Sequence, residues 1–405
     1  MIYLCTCMKF TPRYMNKLQI IILFFVVLFL GVACQEQNHT RDGDLVISGK
    51  LTNGASAALF LEELTPNDII PVDSIYADAD GNFKHVFFLE DAGFYRLGIH
   101  GGNFITLSAE PGEQIFITAD ASDLAATYEV KGSRGSQILH LIGQKKMEGI
   151  QHANQLRELY RDSRGRARFT EIRDSLRQEY RDIKEEQRRF VIQIIEQNPD
   201  NLASILALYQ YFEDHVLLRE DQHFEYFEKL SKTLCNSYAS NKHVIDLKKR
   251  VSDRKREEQQ RLQNEENLAI GRLAPEIVLP TPEGNTVSLS SLRGNIVLID
   301  FWAAWCPPCR VANVKLGELY SKYKGRGFEI YGVSLDRTRD QWIQAIEVDN
   351  ITWVQVSDLR FMNSPVVNLY NVVEIPYTVL LDREGRIIAR NFSVDELEAL
   401  LLQNL

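Results

Sequence analysis

Asp300-Phe301-Trp302-Ala303-Ala304-Trp305-Cys306-Pro307-Pro308-Cys309-Arg310 is the stretch on which the fold turns. It follows Asn295 to Ile299, an apolar β-branched run that reads as a buried strand, and it precedes Val311 to Lys324, which reads as a helix. Two cysteines therefore sit where a strand hands over to a helix. Cys306 falls at the helix start, where unpaired backbone N–H groups and the positive end of the macrodipole favour a thiolate over a thiol. Cys309 lies one turn on and on the same side, within reach for a disulfide. That spacing predicts a reversible dithiol switch.

The strand sets Ile296, Leu298, Asp300 and Trp302 on one face and Val297, Ile299 and Phe301 on the other, so both faces read as buried. A carboxylate there is expected to hold a raised pKa, which suits Asp300 to take a proton from Cys309. Beyond it the pattern predicts helix Val311 to Lys324, strand Phe328 to Ser334, helices Arg339 to Glu347 and Ser364 to Leu369, strands Thr378 to Asp382 and Ile387 to Ala389, and a closing helix from Val394. A mixed sheet flanked by helices follows. Half a zinc site is the other reading of the cysteines, but zinc normally takes four ligands, and residues 271–405 hold no other cysteine and no histidine. The missing histidine also removes cysteine-protease chemistry, which needs an imidazole base.

Gly271, Ala274-Pro275, the Phe301 to Cys309 run, Gly332-Val333-Ser334, Ile375-Pro376 and Leu381-Asp382 with Gly385 together resemble the TlpA/ResA-like group of membrane-anchored thioredoxins. The resemblance covers about a third of the chain. It implies that Cys306 attacks as a thiolate and that Cys309 resolves the mixed disulfide. It further implies that Trp305 covers the site, that Asp300 matches the buried aspartate of thioredoxins, and that the Ile375-Pro376 bond is cis. That proline is expected to face the dithiol and let the preceding backbone pair with an extended substrate. Trp305, Pro307, Pro308, Ile375 and Pro376 are thus the expected substrate contacts, and no cofactor beyond the Cys306–Cys309 disulfide is implied. The chain departs from the pattern where ResA-like members carry glutamate and it has Ala312, and where they carry a helix-kinking proline and it has Val314. The first departure shifts proton transfer towards Asp300; the second predicts a straighter helix. Pro307 and Pro308 both lack an amide N–H, so fewer donors stabilise the Cys306 thiolate than in thioredoxin, where glycine-proline intervenes. A more reducing dithiol is expected, nearer thioredoxin at about −270 mV than the strongest periplasmic oxidants at about −120 mV.

Outside this domain the signals are coarser. From Ile20 to Ala33 every residue is apolar or glycine, after Lys9, Arg13 and Lys17, which matches a secretory signal better than a bilayer span. Gly31-Val32-Ala33-Cys34 resembles a lipoprotein cleavage site with Cys34 lipidated. Met15 opens a more conventional signal than Met1, so residues 1–14 read as an over-extended start. Residues 44–120 alternate short apolar runs with turns, predicting an antiparallel β sandwich or barrel. They resemble an N-terminal β domain of unknown function found in thioredoxin-bearing lipoproteins, through Ile47-Ser48-Gly49, Asp80-Gly81-Asn82-Phe83 and Pro111-Gly112-Glu113. Residues 135–267 carry helical periodicity and read as a helical spacer, the arginines of 157–189 being interleaved with acids as on a solvated helix face. A net charge of −9 argues against nucleic acid as a partner.

The sequence thus predicts a leader (1–34), a β domain (44–120), a helical region (135–267) and a C-terminal α/β thioredoxin-like domain (271–405). The expected protein is a periplasm-facing, lipid-anchored disulfide reductase acting on cysteine-containing exported proteins. A membrane thiol reductase would recharge it, and cytochrome c maturation or thiol repair would be its context. Two other classes remain open. One is a thiol peroxidase, because Gly271 to Leu279 also resembles the opening of peroxiredoxin-type domains; the other is a binding or assembly lipoprotein.

Overall fold

The computed structural model describes residues 43–99, 102–165 and 167–405. Cys5, Cys7, Cys34 and the apolar run Ile20 to Ala33 lie outside them. The chain divides into two compact units, one up to Lys248 and one from Lys249.

In the first unit, strands β1 (Asp44–Thr52), β2 (Ala58–Leu64), β3 (Ile69–Tyr76), β4 (Asn82–Phe88), β5 (Gly93–Ile99), β6 (Asn103–Ala109) and β7 (Gln114–Asp120) follow in order. A short helix α1 (Leu124–Thr127) and strand β8 (Glu129–Lys131) complete the β region. Two four-stranded sheets result, ordered β4-β1-β7-β8 and β3-β2-β5-β6. Alternate residues Leu45, Ile47 and Leu51 from one sheet and Leu59, Leu61, Tyr95 and Leu97 from the other fill a single core, which makes this a sandwich. It is not wholly antiparallel, because β1 and β7 run parallel, with Ile47 opposite Ile115. Hydrophobic alternation fixes which side chains point inward and is silent on strand direction.

Helices α2 (Arg134–Ser163) and α3 (Phe169–Gln197) come next, then α4 (Ser204–Leu208), the hairpin β9–β10 (Tyr211–Phe212, His215–Val216), α5 (Phe224–Ser237) and α6 (Lys242–Asn267). Within the stretch expected to be helical, α4 is thus a single turn followed by a hairpin. Ser133 caps α2 and donates its hydroxyl to Ser108 O (2.7 Å), and Ser136 donates to the same carbonyl (2.8 Å). The first long helix is thereby tied to β6, and the sandwich and helices α2 to α5 fall in one unit.

The second unit pairs β11 (Val278–Pro280) with β12 (Thr286–Ser288) and builds a five-stranded sheet in the order β15-β14-β13-β16-β17. Its chain order is β13 (Ile296–Trp302), α7 (Pro307–Tyr323), β14 (Phe328–Ser334), α8 (Arg339–Val348), β15 (Val354–Val356), α9 (Pro365–Leu369), β16 (Tyr377–Leu381), β17 (Ile387–Arg390) and α10 (Val394–Asn404). Strand β13 lies at the centre, parallel to β14 and antiparallel to β16. All seven of its residues are buried.

Candidate active site

Strand β13 separates two cores. Val297, Ile299 and Phe301 enter one; Ile296, Leu298 and Trp302 enter the other, together with Cys306 and Cys309. Alternation therefore puts Asp300 on the cysteine side of the sheet. Its side chain is only 2% exposed, and among the described residues nothing donates a hydrogen bond to it. Burial alone pushes its carboxyl up to about 7.

After Trp302 the chain leaves the sheet and turns into α7. Cys306 is the N-cap, with extended backbone (φ −100°, ψ 99°), and Pro307 and Pro308 take the first helical positions, where a missing N–H costs nothing. The helix begins four residues before Val311 and runs unbroken through Ala312 and Val314 to Tyr323. Cys306 and Cys309 are joined by a disulfide with their Cα atoms 5.3 Å apart. The Cys309 N–H points at Cys306 Sγ (3.2 Å). Across the site Ile375-Pro376 is cis, and the Ile375 carbonyl lies 3.8 Å from Cys306 Sγ.

The loop between strand and helix is held from below by Asp336, at the end of β14. Both carboxylate oxygens accept the Ala304 N–H (3.1 Å each), and one also accepts the Ser334 hydroxyl (2.8 Å). Burial raises the Asp336 carboxyl above the usual range, while these two donors oppose it. Arg310, in the first turn of α7, pairs with Asp349 through two nitrogens, and Asn313 donates to the same carboxylate (2.8 Å). Trp302 donates its indole N–H to Gln355 Oε1 (2.8 Å), and Gly332 leaves room for that amide, since a Cβ there would lie 2.1 Å from Gln355 Nε2. Trp305 is 46% exposed; its ring lies 5.0 Å from that of Phe361, over which Arg337 stacks in turn. Exposed apolar side chains flank the disulfide along the chain: Val311 and Val314 on α7, and Val373 two residues before Ile375.

The fold and this geometry agree with what the chain is similar to. A family model described as the AhpC/TSA family matches residues 270–390. The thiol-disulfide oxidoreductase ResA of Bacillus thuringiensis subsp. konkukian is 33% identical over 129 residues, which is 31% of this chain and 70% of that protein. This chain belongs to the ResA-like family of thiol-disulfide oxidoreductases. Among solved structures, the thioredoxin domain of a Bacteroides vulgatus thiol-disulfide oxidoreductase is 39% identical, covering 34% of this chain and 97% of that one, with a TM-score of 0.32. A thiol-disulfide oxidoreductase from Bacteroides fragilis is 34% identical, covering 33% of this chain and 100% of that one, with a TM-score of 0.32.

As a member of this ResA-like family the protein is a thiol-disulfide oxidoreductase with a C-terminal thioredoxin-like fold, preceded by β-rich and helical regions. The two cysteines, Trp305, Pro307, Pro308 and the Ile375-Pro376 bond belong to one locale, and Asp300 lies on the cysteine side of the central strand. Sequence reading missed Asp336, Gln355, Phe361 and Arg337. The only signal for Asp336 was an acid two residues past a buried strand, in a position where many acids are merely solvated.

Proposed function

We propose that the protein is an exported reductase of protein disulfides. The observation that carries this reading is the Cys306–Cys309 pair at a helix N-terminus, with the Ile375 carbonyl 3.8 Å from Cys306 Sγ. In the reduced enzyme the Cys306 thiolate attacks one sulfur of a substrate disulfide, forming a mixed disulfide and expelling the other sulfur as a thiolate. Asp300 takes the Cys309 proton; the Cys309 thiolate attacks Cys306 Sγ, closes the enzyme disulfide and releases the second substrate thiolate. Two electrons have then passed from enzyme to substrate, and a membrane thiol reductase must return them. The dithiol is the whole redox apparatus in this scheme, with no cofactor. Trp305, Pro307, Pro308 and the Ile375-Pro376 backbone receive the substrate, and the exposed Val311, Val314 and Val373 suit an extended apolar segment of an unfolded exported protein.

Lipidation of Cys34 would hold the enzyme at a periplasm-facing membrane surface, and cytochrome c maturation or thiol repair is the context proposed. With Pro307 and Pro308 lacking amide hydrogens, the Cys309 N–H at 3.2 Å is the donor nearest Cys306 Sγ. That supports a reducing potential, nearer about −270 mV than about −120 mV. Equilibration against glutathione tests the potential, and a value near −120 mV overturns the reductase assignment. Trapping mixed disulfides with Cys309→Ser tests the substrate class: exported proteins with paired cysteines are expected, and failure to trap any protein from a periplasmic fraction counts against it. The match of residues 270–390 to the AhpC/TSA model favours thiol peroxidase as a second reading; hydrogen peroxide turnover dependent on Cys306 would select it.

A further inference from the structure

The first unit contains a cavity of about 690 Å³ that the redox chemistry does not use. One wall is the edge of the sandwich, with Phe87, Phe88 and Tyr95; the other is the turn Ser240 to His243 that opens α6. That turn is fastened at four points. Ser240 donates its hydroxyl to Asp91 (2.8 Å), Asn241 donates its amide to Ala92 O (2.6 Å), Lys242 pairs with Glu63 (3.0 Å), and His243 Nε2 meets Leu64 O (2.8 Å). The cavity is therefore built by specific bonds and its size falls within the range of small-ligand sites, about 300–1,000 Å³.

Its contents point to the chemistry of an occupant. Tyr95 is 95% buried by neighbours, being 5% exposed, yet among the described residues its hydroxyl has no hydrogen-bond partner, although it lines the cavity. Burial, with the Glu63 and Asp91 carboxylates adding, pushes that phenol up to about 12, so it stays neutral at pH 7. Three carboxylates, Glu63, Glu90 and Asp91, line the space against one lysine, while burial lowers the pKa of His243 and keeps it neutral. An excess of negative charge beside aromatic walls selects a cation. A hydroxyl that faces the cavity with no protein partner is open to one that a ligand supplies.

We propose that this cavity binds a protonated primary amine on an alkyl chain, the Tyr95 hydroxyl accepting an ammonium N–H, the carboxylates balancing its charge and Phe87 and Phe88 packing its methylenes. A lysine side chain of a polypeptide and a free diamine share this chemistry.

Calorimetric titration of the full chain tests it with three probes: Nα-acetyl-lysine amide, 1,5-diaminopentane and the uncharged isostere Nα-acetyl-norleucine amide. Saturable 1:1 binding of an amine, with the norleucine compound at least roughly tenfold weaker, is expected. Tighter binding of the lysine amide identifies a polypeptide source, and tighter binding of the diamine a free one. Tyr95→Phe keeps the buried ring and should weaken the amine about tenfold. Glu90→Gln alters an exposed side chain, so it reads the charge requirement even if Tyr95→Phe is destabilised; about threefold weakening is expected. Equal binding of all three probes, no saturable binding of either amine, or unchanged affinity in Glu90→Gln overturns the proposal.

Discussion

The dithiol site and the cavity in the sandwich unit both rest on a buried polar side chain without a partner, Asp300 in one and Tyr95 in the other, but they are assembled from different distances along the chain. The redox-active residues of the first are concentrated in one strand-to-helix passage, with its strand acid six residues before the first cysteine. The second depends on residues as far apart as Glu63 and Lys242, separated by 179 positions. Chemistry packed into one turn leaves a motif; chemistry gathered by tertiary folding leaves scattered residues of ordinary type.

The sharpest way to break that contrast is Cys306→Ser. Disulfide reduction should fall on the order of 10³-fold or more in an insulin-turnover assay, because the remaining thiol of the pair, Cys309, is buried away from substrate. Amine binding in the sandwich unit should be unchanged, and a parallel loss would show that the two sites are one. Next is Asp300→Asn. The carboxyl sits at about 7, so below that pH it is protonated and cannot take the Cys309 proton, and above it the base is available. Release of the mixed disulfide, followed by stopped flow, should quicken as pH rises through about 7 in the native enzyme. It should run about 10²-fold slower in the variant at pH 8, without that inflection.

The same group gives a stability test of opposite direction. A folded-state pKa raised above the unfolded 3.8 means the native state favours the protonated acid. Its contribution is complete below about pH 4, declines as pH rises through about 7, and is gone above it. Asp300→Asn should therefore raise denaturant stability at pH 9 by about 2 kcal/mol and leave it nearly unchanged at pH 4. Asp336→Ala strands the Ala304 N–H and should cost about 1–2 kcal/mol, with altered Trp305 fluorescence. Lys315→Ala removes an exposed pair with Asp395 and should change the melting free energy by less than about 0.5 kcal/mol.

How far the sequence could be read follows the same division. Strand Phe328–Ser334 agrees with its expected limits because the Gly327 turn bounds a largely apolar run. The burial of Asp300 was legible because apolar residues on both faces of β13 left no solvated side. The parallel β1–β7 pair was not, since direction is set by the chain between strands. Strand β15, three residues long, and the β9–β10 hairpin fall below the length at which any period can be counted. Asp336 went unread because its significance lies in the amide it faces, 32 positions away. Tyr95 reads in sequence as one more aromatic of a strand.

Asn241 gives the sandwich unit a built-in reporter. The side chain whose amide clasps Ala92 also offers its carbonyl oxygen to the His243 N–H (3.0 Å), an amide in the first turn of the long charged helix. Whatever steadies the wall steadies that first turn as well, so deuterium uptake at His243 should slow when the chamber is filled and quicken when the clasp is cut, giving a clock for occupancy that needs neither a dye nor a redox partner.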